Sequence, residues 1–209
     1  MSTPFAILRH ATTGWNVDRR LQGQTDIPLS PASEAEAASW RLPPPADGWQ
    51  RLSSPLRRAL RTAELVQPAA PVTVDSRLRE MSFGSWEGRT LADLRATVGE
   101  QFLIAERRGL DFEAPNGESP RQVMARMAAW TAEIARGGAP VVAVSHKAAI
   151  RALLACATGW DMQSRQPVKL DWRSAHFFAV AADGTVSLER PNVPLAIGPP
   201  AGKAPARVA

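Results

Sequence analysis

Phe5-Ala6-Ile7-Leu8-Arg9-His10-Ala11-Thr12-Thr13-Gly14-Trp15-Asn16 is the stretch from which the fold class follows. Four apolar residues end abruptly in an arginine and a histidine, and a polar loop follows. An apolar run this short reads as a buried strand that delivers polar side chains at its carboxyl end. Val141 to Val144 repeats the pattern and ends in Ser145 and His146. Between the two runs the signals are helical. Ser30-Pro31 opens an alanine-rich segment to about Leu42, Ser54-Pro55 another to about Val66, and Ser119-Pro120 a third to about Arg136. Each has a cap residue ahead of a first-turn proline. Trp49 to Leu52 and Val72 to Val74 read as further parallel strands.

Strands alternating with helices need helical crossovers between parallel neighbours. The expected fold is therefore an α/β three-layer sandwich, with a mainly parallel central sheet flanked by helices. Ligands of such sheets sit beyond the carboxyl ends of the strands, so His10 and His146 are expected at one rim. Residues 84–119 show helical stretches around Thr90 to Val98 and Glu100 to Arg108 and no strand, which reads as a small helical cap insertion over that rim. Strand-like runs return near His176 to Val180 and Thr185 to Leu188. The expected organisation is a single domain over residues 1–190, followed by a Pro- and Ala-rich disordered tail over 191–209.

The chain has 209 residues, 44% of them hydrophobic, which is enough for one sizeable core and short for two. Its formal charge of +5 comes from scattered arginines. That balance suits an anionic ligand, and without a basic stripe interleaved with aromatics it argues against nucleic acid as a partner. Cys156, the single cysteine, lies in an apolar run and has no internal partner for a disulfide. The N-terminal residues lack a secretory pattern and no segment approaches the ~20 apolar residues of a membrane helix, so the expectation is a cytoplasmic protein with no membrane partner.

Four segments carry candidate chemistry. Arg9-His10 places an imidazole beside a guanidinium, a nucleophile next to a donor for phosphoryl oxygens. A strand-capping pair is the plainer reading of that segment alone. Ser54-Pro55-Leu56-Arg57-Arg58-Ala59-Leu60-Arg61-Thr62-Ala63 puts arginines at a helix start, where free N–H groups favour an anion. Charge alone does not separate Arg57, Arg58 and Arg61, and a solvated basic face fits equally. Leu78-Arg79-Glu80-Met81 offers a carboxyl group among apolar neighbours, a candidate general acid or a turn glutamate. Val144-Ser145-His146-Lys147-Ala148 ends a strand with a second imidazole that could donate to a phosphoryl oxygen.

In this order and spacing the four segments resemble the histidine phosphatase superfamily, with its phosphoglycerate mutase-like fold; the match spans about Phe5 to Arg151. The resemblance implies that His10 is the nucleophile of a phosphohistidine mechanism, that Arg9, Arg58 and His146 hold the phosphoryl group, and that Glu80 is the acid. Arg58 is selected because the family's arginine directly precedes an alanine, with Thr-Ala following, here Thr62-Ala63. Thr13 and Asn16 match positions lining the phosphate pocket, and Gln22 in Arg20-Leu21-Gln22-Gly23 matches one facing substrate. Ala11, Lys147 and Ala148 stand where the family usually has glycine, and Lys147 reads either as a cation at the mouth of the site or as a solvated side chain.

The resemblance further implies a metal-independent phosphomonoesterase without a cofactor, acting on a small phosphorylated metabolite as a monomer or homodimer; α-ribazole phosphate is one candidate. None of the three histidines and one cysteine falls at metal-ligand spacing. Two alternatives stand beside this reading. A phosphoglycerate mutase would carry Arg-His-Tyr after the glutamate, where this chain has Met81-Ser82-Phe83, without a cation for a substrate carboxylate. A catalytically inactive member would bind phosphorylated ligands or partners only.

Overall fold

Residues 2–68 and 71–199 are described in a computed structural model. In chain order the elements are β1 (Ser2–Arg9), α1 (Gly14–Val17), α2 (Pro31–Ser39), β2 (Trp40–Arg41), β3 (Gln50–Ser53), α3 (Arg57–Val66), β4 (Val72–Val74), α4 (Leu91–Thr97) and α5 (Glu100–Glu106). They continue with α6 (Pro120–Gly137), β5 (Val141–Ser145), α7 (Lys147–Thr158), β6 (Ser174–Ala181), β7 (Val186–Pro194) and β8 (Ala196–Ile197). The main sheet has the order β4-β3-β5-β1-β6-β7. Its first four strands are mutually parallel, and β6 and β7 are antiparallel additions. The central, mainly parallel sheet expected from the sequence is thus present.

Alternation along β1 shows why helices cover both faces. Phe5 and Ile7 enter one core with Val123, Met127 and Trp130 of α6 and Ile150, Leu153 and Leu154 of α7. Ala6 and Leu8 enter a second core with Ala37 of α2 and Ala59, Ala63 and Val66 of α3. Successive side chains of a strand point to opposite faces, so a strand with no polar alternation must be buried on both. Phe5 meets Trp130 edge-on at 5.4 Å and stacks on Phe178 at 5.5 Å, contacts worth about 0.5–1.5 kcal/mol each beyond the area they bury.

Helix α6 follows its sequence signals closely. Ser119 accepts from the Gln122 backbone N–H while the Gln122 side chain accepts from the Ser119 N–H, Pro120 sits at the first helical position, and Gly138, at φ +63°, ends the helix. Helix α3 does not follow them. It starts at Arg57 rather than at Pro55, with Leu56 in the cap position, and the Arg57 N–H is satisfied by Asp26 from a distant loop at 2.7 Å. The alanine-rich segment also stops short of Leu42. Trp40 is extended and buried in the second core, and β2 pairs with β8.

That pairing corrects the expected boundary of the tail. Residues Pro191 to Pro194 belong to β7, where Asn192 donates to His176 Nδ1 at 3.1 Å, and Ala196–Ile197 form β8. The remaining expected tail, residues 200–209, lies outside the described residues. Residues 84–119 contain α4 and α5 around a small cluster of Trp86, Leu94, Phe102, Ala105 and Ala114. No described helix is long and apolar enough to cross a membrane.

Candidate active site

β1 and β5 run side by side with Arg9 opposite Ser145, and the His10 N–H donates to the Ser145 carbonyl at 3.0 Å. Both histidines therefore emerge at the same rim, their ring centroids 5.0 Å apart. His10 is 4% exposed. Its Nδ1 lies 2.7 Å from the Ala11 carbonyl, which can only accept, so Nδ1 carries the hydrogen and Nε2 keeps the lone pair. Burial, then the positive charges of Arg9 and Arg58, hold His10 well below the usual imidazole range. The ring is neutral at neutral pH.

Arg58 is completely buried. Its guanidinium donates to the Gly23 carbonyl at 2.6 Å and the Thr25 carbonyl at 2.8 Å, while Nε has no partner among the described residues. The accepting loop is itself fixed by Glu87, whose carboxylate receives the N–H groups of Gln24 and Thr25 at 2.9 Å and that of Phe83 at 3.1 Å. Gly23, at φ +52°, is required there because a Cβ would collide with the Glu87 carboxylate. Arg57 is exposed, and Arg61 turns outward to Glu34 at 2.9 Å, so of the three arginines only Arg58 enters the site.

His146 is completely buried and its Nε2 lies 2.8 Å from Ser54 Oγ. Its Nδ1 is buried without a partner among the described residues. Burial, followed by His10, Arg58 and Arg9, holds it well below the usual imidazole range. Ser54, read from the sequence as a helix cap, thus positions the second imidazole instead. Nothing local signals this, because the two residues are 92 positions apart.

Glu80, in the segment between β4 and α4, is 8% exposed and sits against the start of α7. Its Oε1 accepts from the N–H groups of Met81 at 2.9 Å and Ala148 at 3.0 Å, and Oε2 lies 3.3 Å from the Ala148 nitrogen. The other nearby carboxylates are committed elsewhere: Glu87 to the loops above, and Glu118 to Arg126 at 3.1 Å and the Ser82 N–H at 2.9 Å.

A cavity of about 620 Å³ joins these groups. Arg9, His10, Asn16, Gln22, Glu80 and Lys147 line it; Arg58 and His146 are not on the lining but lie buried behind His10, as its floor. Leu91, Glu106 and Phe112 of the 84–119 segment close it from the other side. Thr13 is completely buried and does not face the cavity. It and Asn16 satisfy each other's backbone in a capping box that starts α1. Ala11, 2% exposed, packs its methyl in the second core while its N–H donates to Thr62 at 3.0 Å, so the missing glycine does not narrow the site. Trp172 was not singled out in the sequence, yet its ring carries the Arg9 guanidinium at 6.0 Å and the Lys147 ammonium at 5.6 Å.

Residues 5–192 match the family described as histidine phosphatase superfamily (branch 1). The chain belongs to the histidine phosphatase superfamily. It is 30% identical over 193 residues, 88% of each chain, to 2,3-bisphosphoglycerate-dependent phosphoglycerate mutase 2 of Gloeobacter violaceus. Among solved structures it is similar to Mycobacterial hydrolase 1, with a TM-score of 0.78 and 27% identity over 93% of this chain and 100% of that one. A mycobacterial glucosyl-3-phosphoglycerate phosphatase, solved in complex with VO3, superimposes with a TM-score of 0.74 and 28% identity over 91% of this chain and 99% of that one. Superfamily membership and the mixed α/β fold agree with the sequence reading; the specific activity is a separate question.

Proposed function

We propose that this chain is a metal-independent phosphomonoesterase acting through a phosphohistidine on His10. One observation carries the reading: a buried, neutral imidazole whose Nδ1–H is held by the Ala11 carbonyl, leaving the Nε2 lone pair between Arg9, Arg58 and His146. In the first step Nε2 attacks phosphorus, a P–N bond forms and the ester P–O bond breaks. Arg9, Arg58 and the free Nδ1–H of His146 receive the charge on the equatorial oxygens, with Ser54 donating to His146 Nε2. Glu80 gives a proton to the departing alkoxide. In the second step water attacks phosphorus, Glu80 takes its proton, the P–N bond breaks and inorganic phosphate leaves. The imidazole supplies the nucleophile and the guanidinium groups the positive charge, so neither step requires an ion.

The mutase reading is supported by the Gloeobacter relative's name and by the cavity itself. Met81 and Phe83 do present apolar groups, but Arg19, Arg20, Lys147 and Arg151 bring cations to the same space from other elements, so a carboxylate has partners after all. The two readings separate in one assay. With exhaustive chelation, a panel of phosphomonoesters that includes α-ribazole phosphate should release phosphate, and vanadate should inhibit. 3-Phosphoglycerate with a bisphosphoglycerate primer should yield phosphate; efficient formation of 2-phosphoglycerate would favour the mutase, and activity restored only by a divalent ion would overturn the mechanism.

A further inference from the structure

The cavity holds more positive charge than chemistry at one phosphorus uses. Five cationic side chains face it, Arg9, Arg19, Arg20, Lys147 and Arg151, against two carboxylates, Glu80 and Glu106. Both carboxylates are occupied, Glu80 by the N–H groups of Met81 and Ala148 and Glu106 by Arg95 at 2.9 Å. Arg20 is directed to the Gly88 carbonyl at 2.9 Å and to Asp18 at 3.5 Å. Among the described residues Arg9 and Arg19 make no ion pair either, but Arg9 belongs to the phosphoryl pocket, and Arg19 is exposed and seated on no aromatic ring; Lys147 and Arg151 remain. Among the described residues neither makes an ion pair, and Arg151 Nε is buried without a hydrogen-bond partner.

Their placement is electrostatically unfavourable for the protein alone. Four positions apart, they share one face of α7, where like charges repel, and they stand in its first turns, where the helix dipole disfavours cations. Each is held instead by an aromatic plate, Lys147 over Trp172 at 5.6 Å and Arg151 over Trp160 at 4.9 Å. Lys147 is exposed and Arg151 half-buried, and partial desolvation lowers both from their ordinary values; for Lys147 the neighbouring Arg9 and Arg151 add to the effect. Because Arg9 lies over the same Trp172 ring, the pair stands next to the phosphoryl pocket.

We infer that Lys147 and Arg151, seated on Trp172 and Trp160, form a second anion subsite, and that the substrate is a phosphomonoester whose alcohol portion carries another anionic group, a carboxylate or a phosphate. The inference rests on Arg9, His10 and Arg58 being the phosphoryl pocket. The shared Trp172 plate keeps the two anions on a short tether. Arg151 offers a planar fork to the second anion and Lys147 a point charge.

Three compounds on one carbon skeleton test it: 3-hydroxypropyl phosphate, 2-carboxyethyl phosphate and propane-1,3-diol bisphosphate. The wild-type enzyme should prefer at least one doubly anionic compound over the hydroxypropyl ester by roughly 10- to 100-fold in kcat/KM, mainly through KM, as charged hydrogen bonds imply. Which compound is preferred tells a carboxylate from a phosphate. Lys147→Gln and Arg151→Gln should each shrink that ratio and the double variant bring it near one, while Lys147→Arg keeps most of it. Calorimetric binding of the same compounds to His10→Ala protein gives a second readout that needs no turnover. A binding preference lost when Lys147→Gln and Arg151→Gln are added to His10→Ala, with no hydrolysis by the wild type, would uphold the subsite and refute the phosphatase reading. No preference in the wild type, or one that survives the double substitution, would overturn the subsite.

Discussion

At the floor of the cavity Arg58 and His146 are completely enclosed, and each is tied to partners far away in sequence: the Gly23 and Thr25 carbonyls for one, Ser54 for the other. Over the cavity, residues 84–119 build a small cluster of their own around Trp86 and Phe102 and leave Leu91, Leu103 and Ile104 exposed. The floor is anchored in the two large cores of the sheet, whereas the cap reaches the first of them only through the partly buried Leu110 and Phe112. Elements with few buried apolar contacts open at lower free energy than the core. Under the proposed function, chemistry takes place on a preorganised floor and access is governed by the cap, with the cations of α7 between them.

The largest effect is expected at the floor. Glu80→Gln keeps an acceptor for the Ala148 N–H but removes the transferable proton. Phosphoryl transfer from alkyl phosphates should slow by ~10²- to 10⁴-fold, and a nitrophenyl phosphate, with its better leaving group, should slow far less. The comparison must follow formation of the phosphoenzyme in single turnovers, since slower hydrolysis would mask it in steady state. Equal slowing of both substrates in folded protein would remove Glu80 as the acid.

Arg58→Ala should lower kcat/KM by about 10²- to 10³-fold, the usual consequence of deleting one preorganised donor to the transition state. It should also reduce unfolding free energy by ~1–3 kcal/mol, because the Gly23 and Thr25 carbonyls lose their donor. Arg61, one turn on in the same helix, pairs with Glu34 in solvent, so Arg61→Ala should change stability by less than about 0.5 kcal/mol. A comparable loss at both arginines in denaturation and kinetics would contradict the distinction.

The strands under the floor carry a buried imidazole whose titration is a third test. His176 is completely buried, and burial lowers it to about 4. A histidine with a depressed native pKa is more protonated when unfolded, so its contribution is full above about pH 6.5 and is lost as pH falls towards 4. The shift corresponds to roughly 3 kcal/mol. His176→Asn, which keeps an acceptor for the Asn192 N–H, should flatten the decline of stability over that window in urea titrations at stepped pH. His10 and His146, lowered in the same direction, leave a residual decline. An unchanged slope would refute the role of His176.

For the cap, Phe102→Ala and Trp130→Ala each delete a buried ring, a change that typically costs ~3–5 kcal/mol. In the main core that loss should appear as a global shift in melting temperature. In the cap it should appear chiefly as faster amide exchange across residues 91–106 and a KM raised several-fold, with a smaller shift in melting. An equal melting shift for both would mean that the cap is as firmly coupled to the core as the sheet.

What could be read from the sequence divides along the same line. His10 and His146 were legible because a buried strand that ends in a polar residue places it at the sheet rim, a local pattern with a fixed geometric result. Helix α6 was legible because its cap and first-turn proline are adjacent to it. Ser54 and Trp172 were not, since their roles come from contacts with residues far along the chain. The end of the sheet was misread for a related reason: the prolines at 191 and 194 suggested a loose tail, but β7 is an edge strand, where a missing N–H can face outward. Thr13 was assigned to the pocket from the family pattern, while its hydroxyl works one step back, shaping the loop that presents Asn16.

The central claim concerns one nitrogen atom. Nδ1 of His10 is held by the Ala11 carbonyl, so in the proposed mechanism the phosphoryl group transfers to Nε2. Rapid mixing with a phosphomonoester, quenching without acid, and locating the modification by mass spectrometry and phosphorus–proton correlation NMR test this directly. The account predicts phosphate on His10, attached through Nε2, and none in His10→Ala. Phosphate on Nδ1 or on another residue, or turnover that persists undiminished in His10→Ala, would contradict it.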